Sequence, residues 1–288
     1  MSSSDEIDRA TSDLYQQVRA SAQHGEFIRT IEDSEAPTLV GPRPKVVVMP
    51  GAFHVEHKHT GADGERVFQL AAELGWPVER VEVPSFAPMQ KNATALIQHL
   101  RRMQSGPIIL VSLSKGGADV RTALAQGDLE AFAKVRAWVN ISGIVTGTPL
   151  VAWLKARPLR CLGVRLLLRL RGQRFAQVEE LRHCPGSPLD APLMLPEWMQ
   201  AIHIVGFPRV RDLSNDWARR GHARLAPLGP NDGGGILLRD VVSLPGVTYP
   251  VWGADHYLNP SWNIRPLLLR ILQQAGRLPS LVAAEASA

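Results

Sequence analysis

IILVSLSKGG, residues Ile108–Gly117, is the stretch on which the fold turns. Four apolar residues, Ile108 to Val111, lead into Ser112-Leu113-Ser114-Lys115-Gly116. An apolar run this short, bounded by small residues, suits a strand buried on both faces. The residues that follow Gly117, from Ala118 to Leu124, read as helix. Almost no chain is left for the turn between them. A strand-to-helix turn that sharp crowds the backbone of its central residue, so the residues two before and two after must be small. Ser112 and Gly116 meet that demand, with Ser114 at the centre. The Ser114 hydroxyl then stands clear at a helix N-terminus, where unpaired N–H groups favour developing negative charge.

Outward from this stretch the chain alternates. Lys45 to Met49 is a β-branched strand ended by Pro50-Gly51. Gly64 to Leu74 has helical spacing, Val78 to Val83 reads as a strand closed by Pro84, and Ala87 to Met103 carries a helical apolar stripe. Downstream, Val135 to Ile141, Ala201 to Gly206 and Pro245 to Trp252 read as further strands. Trp217 to Ala223 is expected to be a short helix or loop, and Ile264 to Ala275 a closing helix. Alternating strands and helices imply an α/β fold with a mostly parallel central sheet, helices on both faces and right-handed crossovers. A site would then lie in the loops at the carboxyl ends of the strands.

Small-x-Ser-x-small between a strand and a helix resembles the nucleophile elbow of the α/β-hydrolases, with Ser112 where the usual first glycine stands. The resemblance spans residues 45–275 and implies the α/β-hydrolase fold. In that family the loop after an early strand supplies an oxyanion-hole N–H. Pro50-Gly51-Ala52-Phe53 resembles that loop, so the amide of Ala52 or Phe53 joins that of Lys115 as a candidate. An aspartate after a late strand and before an apolar segment matches Asp232 in Asn231-Asp232-Gly233, a run that equally suits a turn. The family's histidine follows the last strand, and GVTYPVWG leads directly to His256.

Ser114, Asp232 and His256 thus fall in the family's order. The resemblance implies a serine hydrolase of carboxylic esters, lipase- or esterase-like, whose acyl-enzyme chemistry requires no metal and no organic cofactor. Two other activities fit the same residues: thioester hydrolysis and acyl transfer. A non-catalytic hydrolase-like scaffold that binds lipid, membrane or protein is the rival of a different class. Asp255 adjoins His256, but neighbouring side chains of an extended segment point apart. Asp240 lies beyond the acid loop, and His222 would serve only if the last strand lay elsewhere. The Lys115 charge would either lower a neighbouring pKa or attract an acidic substrate.

The 288 residues, 45% hydrophobic and 20% charged, have the composition of a globular protein. Residues 1–44 read as a helical extension and Pro-rich linker, 45–145 and 201–275 as the core, and 276–288 as a flexible tail. Residues 146–200, rich in Leu, Arg, Pro and Trp with no strand pattern, read as a helical cap over an apolar pocket. Within them, Lys155 to Arg174 holds seven Lys or Arg and no acid. Leu162, Leu166, Leu167 and Leu170 share a helical face there. Such a helix either covers the pocket or lies on an anionic membrane surface. HVEHKHTG, with His54, Glu56, His57 and His59, lacks the H-E-x-x-H spacing and is expected to be a polar entrance loop rather than a metal site. No nucleic-acid motif accompanies the modest net charge of +5. With two cysteines, no basic-then-apolar start and no long uncharged apolar run, a cytoplasmic location is expected.

Overall fold

Val46, Val47 and Val48 have no exposed surface, nor have Leu110 and Val111 beside them. Runs like these, apolar on both faces, form central parallel strands. The computed structural model describes residues 3–33, 43–57, 60–103, 106–258 and 264–277. Most of the expected linker, His59 and the tail from residue 278 lie outside them.

The chain opens with α1 (Ser3–Ala20) and α2 (Gly25–Asp33). It continues through β1 (Lys45–Met49), α3 (Glu65–Glu73), β2 (Val78–Arg80), α4 (Met89–Arg102), β3 (Ile108–Leu113), α5 (Lys115–Ala125) and β4 (Val135–Ile141). Three helices without a strand follow: α6 (Leu150–Lys155), α7 (Pro158–Leu170) and α8 (Ala176–Glu179). Then come β5 (Gln200–Phe207), α9 (Asp216–Leu225), α10 (Leu238–Val242), β6 (Val247–Trp252) and α11 (Arg265–Gly276). The strands form one sheet in the order β2-β1-β3-β4-β5-β6, and every neighbouring pair is parallel.

The step from β1 to β2 runs opposite to that from β3 to β4. Right-handed crossovers therefore put α3 and α5 on opposite faces. Accordingly α11 packs with α2 and α3, while α4 packs on α5. All six strands run the same way, so the loops after β1, β3, β4 and β6 meet at one end.

The N-terminal helices belong to this packing. Val18, Ile28 and Ile31 are buried in the common core, and Tyr15 packs its ring 5.8 Å from that of Phe207 and 4.7 Å from that of Trp252. The His24 ring accepts from the Thr248 N–H at 3.2 Å and donates to the Val242 oxygen at 3.2 Å, with its pKa lowered by burial.

Some boundaries differ from the sequence expectation. The strand expected to reach Val83 ends at Arg80, although the Val81 N–H still donates to the Val48 oxygen at 2.9 Å. The last strand begins at Val247, after the left-handed Gly246. The stretch around Trp217 is a full helix, begun by Asn215, whose side chain accepts from the Ala218 N–H at 2.9 Å.

Candidate active site

Ser114 joins β3 to α5 with φ 47° and ψ −116°, the crowded conformation anticipated from its neighbours. A Cβ on Gly116 would stand 2.6 Å from the Met49 oxygen and 2.8 Å from the Pro50 oxygen, so only glycine fits there. Ser112 is more than small. Its hydroxyl accepts from the Trp138 indole at 2.8 Å and donates to Asn140 Oδ1 at 2.8 Å. Asn140 in turn donates to His203 Nδ1 at 3.2 Å, and His203 Nε2 donates to the Pro245 oxygen at 3.0 Å. Burial depresses the His203 pKa to about 4, which keeps the ring neutral for this pattern. A glycine at position 112 would leave the indole and the amide without this partner.

His256 follows β6, and its Nε2 lies 3.0 Å from Ser114 Oγ. Its Nδ1 lies 2.5 Å from Asp232 Oδ2. A ring nitrogen facing a carboxylate carries the proton, which leaves the Nε2 lone pair toward the serine hydroxyl. Burial opposes a charge on this ring. The charge and hydrogen bond of Asp232, together with the charge of Asp255, outweigh it and raise the His256 pKa. Asp232 Oδ1 accepts three backbone N–H groups, from Gly234 at 2.9 Å, Gly235 at 3.1 Å and Ile236 at 3.0 Å. The His256 N–H also donates to the Asp232 carbonyl at 2.7 Å, which locks the two loops together.

The acid loop does not follow directly on a strand. Between the end of β5 and Asp232 the chain inserts α9, and a lone antiparallel bridge, Asn231 to Leu237, closes the loop. Three consecutive glycines after Asp232 were the available signal for its amide cradle. A Cβ on Gly234 would stand 2.0 Å from His256 Cγ, so the glycine makes room for the imidazole.

The two rival carboxylates are engaged elsewhere, and the rival histidine lies on another helix. Asp255 accepts from the N–H and hydroxyl of Ser214 at 2.7 and 2.6 Å. Asp240 sits on α10 with His183 Nε2 3.7 Å away. His222 is buried on α9, and its carbonyl accepts from Asn231. Among the described residues, His256 is the side chain bonded to the Ser114 hydroxyl.

Of the two candidate amides after β1, that of Phe53 donates to the Ser85 oxygen at 2.7 Å, which removes it and leaves Ala52. Lys115 begins α5, so its N–H has no acceptor within the helix. Of the two roles expected for the Lys115 side chain, the structure shows the pull on a neighbouring carboxyl, that of Asp119, and not an exposed charge for an acidic substrate. The side chain is buried and pairs with Asp119 at 2.6 Å, and Asn92 donates to the other Asp119 oxygen at 2.9 Å. Burial raises the Asp119 pKa against the pull of Lys115. In the histidine-rich loop His54 turns inward to the Gly51 oxygen at 3.0 Å, and Ser85 donates to Glu56. Among the described residues no group of three or more His, Cys, Asp or Glu could hold a metal ion.

A cavity of about 250 Å³ opens beside Ser114 and His256, with Ala52, Val67, Leu113, Ile141, Leu258 and Leu268 supplying most of its apolar wall. Among the described residues its lining includes none from 146–200. The described non-glycine residues with left-handed φ, Phe53, Ser114, Ser142 and Leu258, all line it. Strained backbone concentrates where surrounding structure over-determines it, commonly at functional sites.

No protein-family model and no curated protein matches the sequence. Solved structures do. The chain is similar to a metagenomic carboxyl esterase, at 21% identity over 84% of this chain and 78% of that one, with a TM-score of 0.58. It is also similar to the mature lipase BlEst2 of Bacillus licheniformis, at 17% identity over 83% of this chain and 96% of that one, with a TM-score of 0.61. The six-stranded parallel sheet and these likenesses define an α/β-hydrolase fold.

Proposed function

We propose that this chain is a serine hydrolase of carboxylic esters, with Ser114 as nucleophile. The observation that carries the reading is the hydrogen-bonded row from Ser114 through His256 to Asp232. The esterase and lipase names of the structural neighbours agree with it.

A serine hydroxyl is a weak nucleophile until an adjacent base takes its proton. His256 Nε2 accepts that proton as Oγ attacks the ester carbonyl, and Asp232 stabilises the imidazolium. The oxyanion is held by the N–H groups of Lys115 and Ala52. One such donor is worth on the order of a hundredfold or more in rate. The imidazolium then protonates the departing alcohol. Water, deprotonated by the same nitrogen, attacks the acyl-enzyme and releases the acid. Every step uses side chains and amides of this chain.

Cavities that hold drug-sized ligands run from about 300 to 1,000 Å³. The 250 Å³ here favours a short acyl group. The test is Ser114→Ala with a short activated ester: turnover falls by at least about 10⁴-fold, while the circular-dichroism spectrum is unchanged. A fluorophosphonate labels the native chain at Ser114 and not the variant. Retained turnover in Ser114→Ala, or a folded native chain that the probe leaves unlabelled, overturns the proposal. Matched oxygen and sulfur esters, with and without alcohol acceptors, separate ester hydrolysis from thioester hydrolysis and acyl transfer.

A further inference from the structure

We infer that α7 docks this protein on the surface of an anionic phospholipid bilayer. The sequence pattern left two directions open for its leucines, inward onto a pocket or outward onto an anionic membrane. The helix takes the outward one. Cys161 and Leu168 are its buried residues, whereas Leu159, Leu162, Leu166 and Leu170 are 85%, 64%, 58% and 77% exposed. Residues three and four apart share a helical face, so these four form one outward stripe. At about 100° per residue, Arg165 and Arg169 border that stripe on one side and Arg160 and Arg171 on the other. An apolar strip with basic flanks suits the interface of a membrane. The leucines enter the acyl boundary, and the arginines lay their stems along it and reach the phosphates.

A second observation concerns charge. The Trp153 ring of α6 has three guanidinium groups about it: Arg157 at 4.0 Å, Arg224 at 4.1 Å and Arg160 at 5.3 Å. None of the three pairs with a carboxylate among the described residues. An uncompensated cation cluster beside an exposed leucine stripe fits an occupant that brings negative charge and hydrocarbon together. A bilayer with anionic headgroups brings both. A second copy would set like charge against like, and a nucleic acid would leave the leucines in water. The helix belongs to the segment that leaves the sheet at the carboxyl end of β4, the end at which Ser114 sits.

The inference does not depend on the hydrolase reading, and its test keeps the two apart. Full-length protein is co-sedimented with vesicles of phosphatidylglycerol and phosphatidylcholine, and with vesicles of phosphatidylcholine alone, at low and high salt. The native chain binds the anionic vesicles at least about tenfold more tightly than the neutral ones, and salt weakens the binding. Leu162→Ser/Leu166→Ser/Leu170→Ser weakens it at least about tenfold while hydrolysis of a soluble ester is unchanged. Arg160→Gln/Arg165→Gln/Arg169→Gln removes the preference for anionic vesicles, and Ser114→Ala binds as the native chain does. Equal binding by the leucine variant and the native chain, or equal binding to both vesicle types, overturns the inference. So does a native dimer in sedimentation velocity that the leucine variant dissolves.

Discussion

Gly234 has its α-carbon where the His256 ring leaves no room for more. Gly234→Ala would push a methyl against Cγ, 2.0 Å away, and displace the imidazole from Ser114. A shift of about 1 Å in a reacting group is enough for roughly a hundredfold, so kcat should fall by that order with the fold intact. Steady-state kinetics beside a denaturation curve checks this. A second prediction concerns His256 itself. In its proposed role as base it acts only when neutral, and the Asp232 and Asp255 charges raise its pKa. The acid limb of kcat/KM should therefore have its midpoint above about 6.5, the ordinary imidazole value. The same shift works oppositely on stability. It favours the folded chain below the unfolded imidazole pKa, and that contribution fades as pH rises through the folded value. A pH–rate profile with a midpoint below the ordinary value would contradict the assignment. At this scale Ser114 and His256 were legible because their neighbours constrain them: small residues about the serine, a strand just before the histidine. Ser112 was read as merely small, since nothing in the local sequence reveals that Trp138 and Asn140 arrive from the next strand to bond it.

Among the elements, α5 carries an unusual load. Its first residue supplies one of the two amides proposed for the oxyanion, while the Lys115 side chain is buried with Asp119 and Asn92. A buried ion pair stripped of one partner leaves a charge in a poor solvent, at about 3–5 kcal/mol, whereas replacing both by apolar residues is often neutral. Asp119→Leu alone should lose stability of that size, and Lys115→Met with Asp119→Leu should recover most of it. The double variant should still turn over ester, because the proposed chemistry uses the amide of residue 115 and not its charge. Urea denaturation and activity on the same samples decide the matter. Helix spacing exposed the apolar stripes of α3, α4 and α7 before any coordinates. It could not say which side of α7 faces inward, because a period of 3.6 marks an apolar face without naming what covers it. Cys161 and Leu168, too few to form a stripe, turned out to be the inward side.

For the molecule as a whole, alternation of strand and helix made the parallel sheet legible, and the order of strands across it was not. That order depends on which crossover covers which face. The acid loop shows the same limit: Asp232 is carried past α9 before it returns to His256, a detour that no local pattern announces. The N-terminal helices, expected to lie on the main body, share its core through Val18, Ile28 and Ile31. A chain beginning at residue 43 should lose more than about 3 kcal/mol, the worth of burying two large apolar side chains, and its urea midpoint should fall accordingly. An unchanged midpoint would mean that those helices are an accessory. No helix among the described residues is long and apolar enough to cross a membrane. The left-handed torsions of Phe53, Ser114, Ser142 and Leu258 cost on the order of 1–3 kcal/mol each, and all border one hollow. Selection for heat resistance alone would favour relaxing these four positions, so the sturdiest descendants of this chain would be the ones least able to keep a shaped space beside the serine.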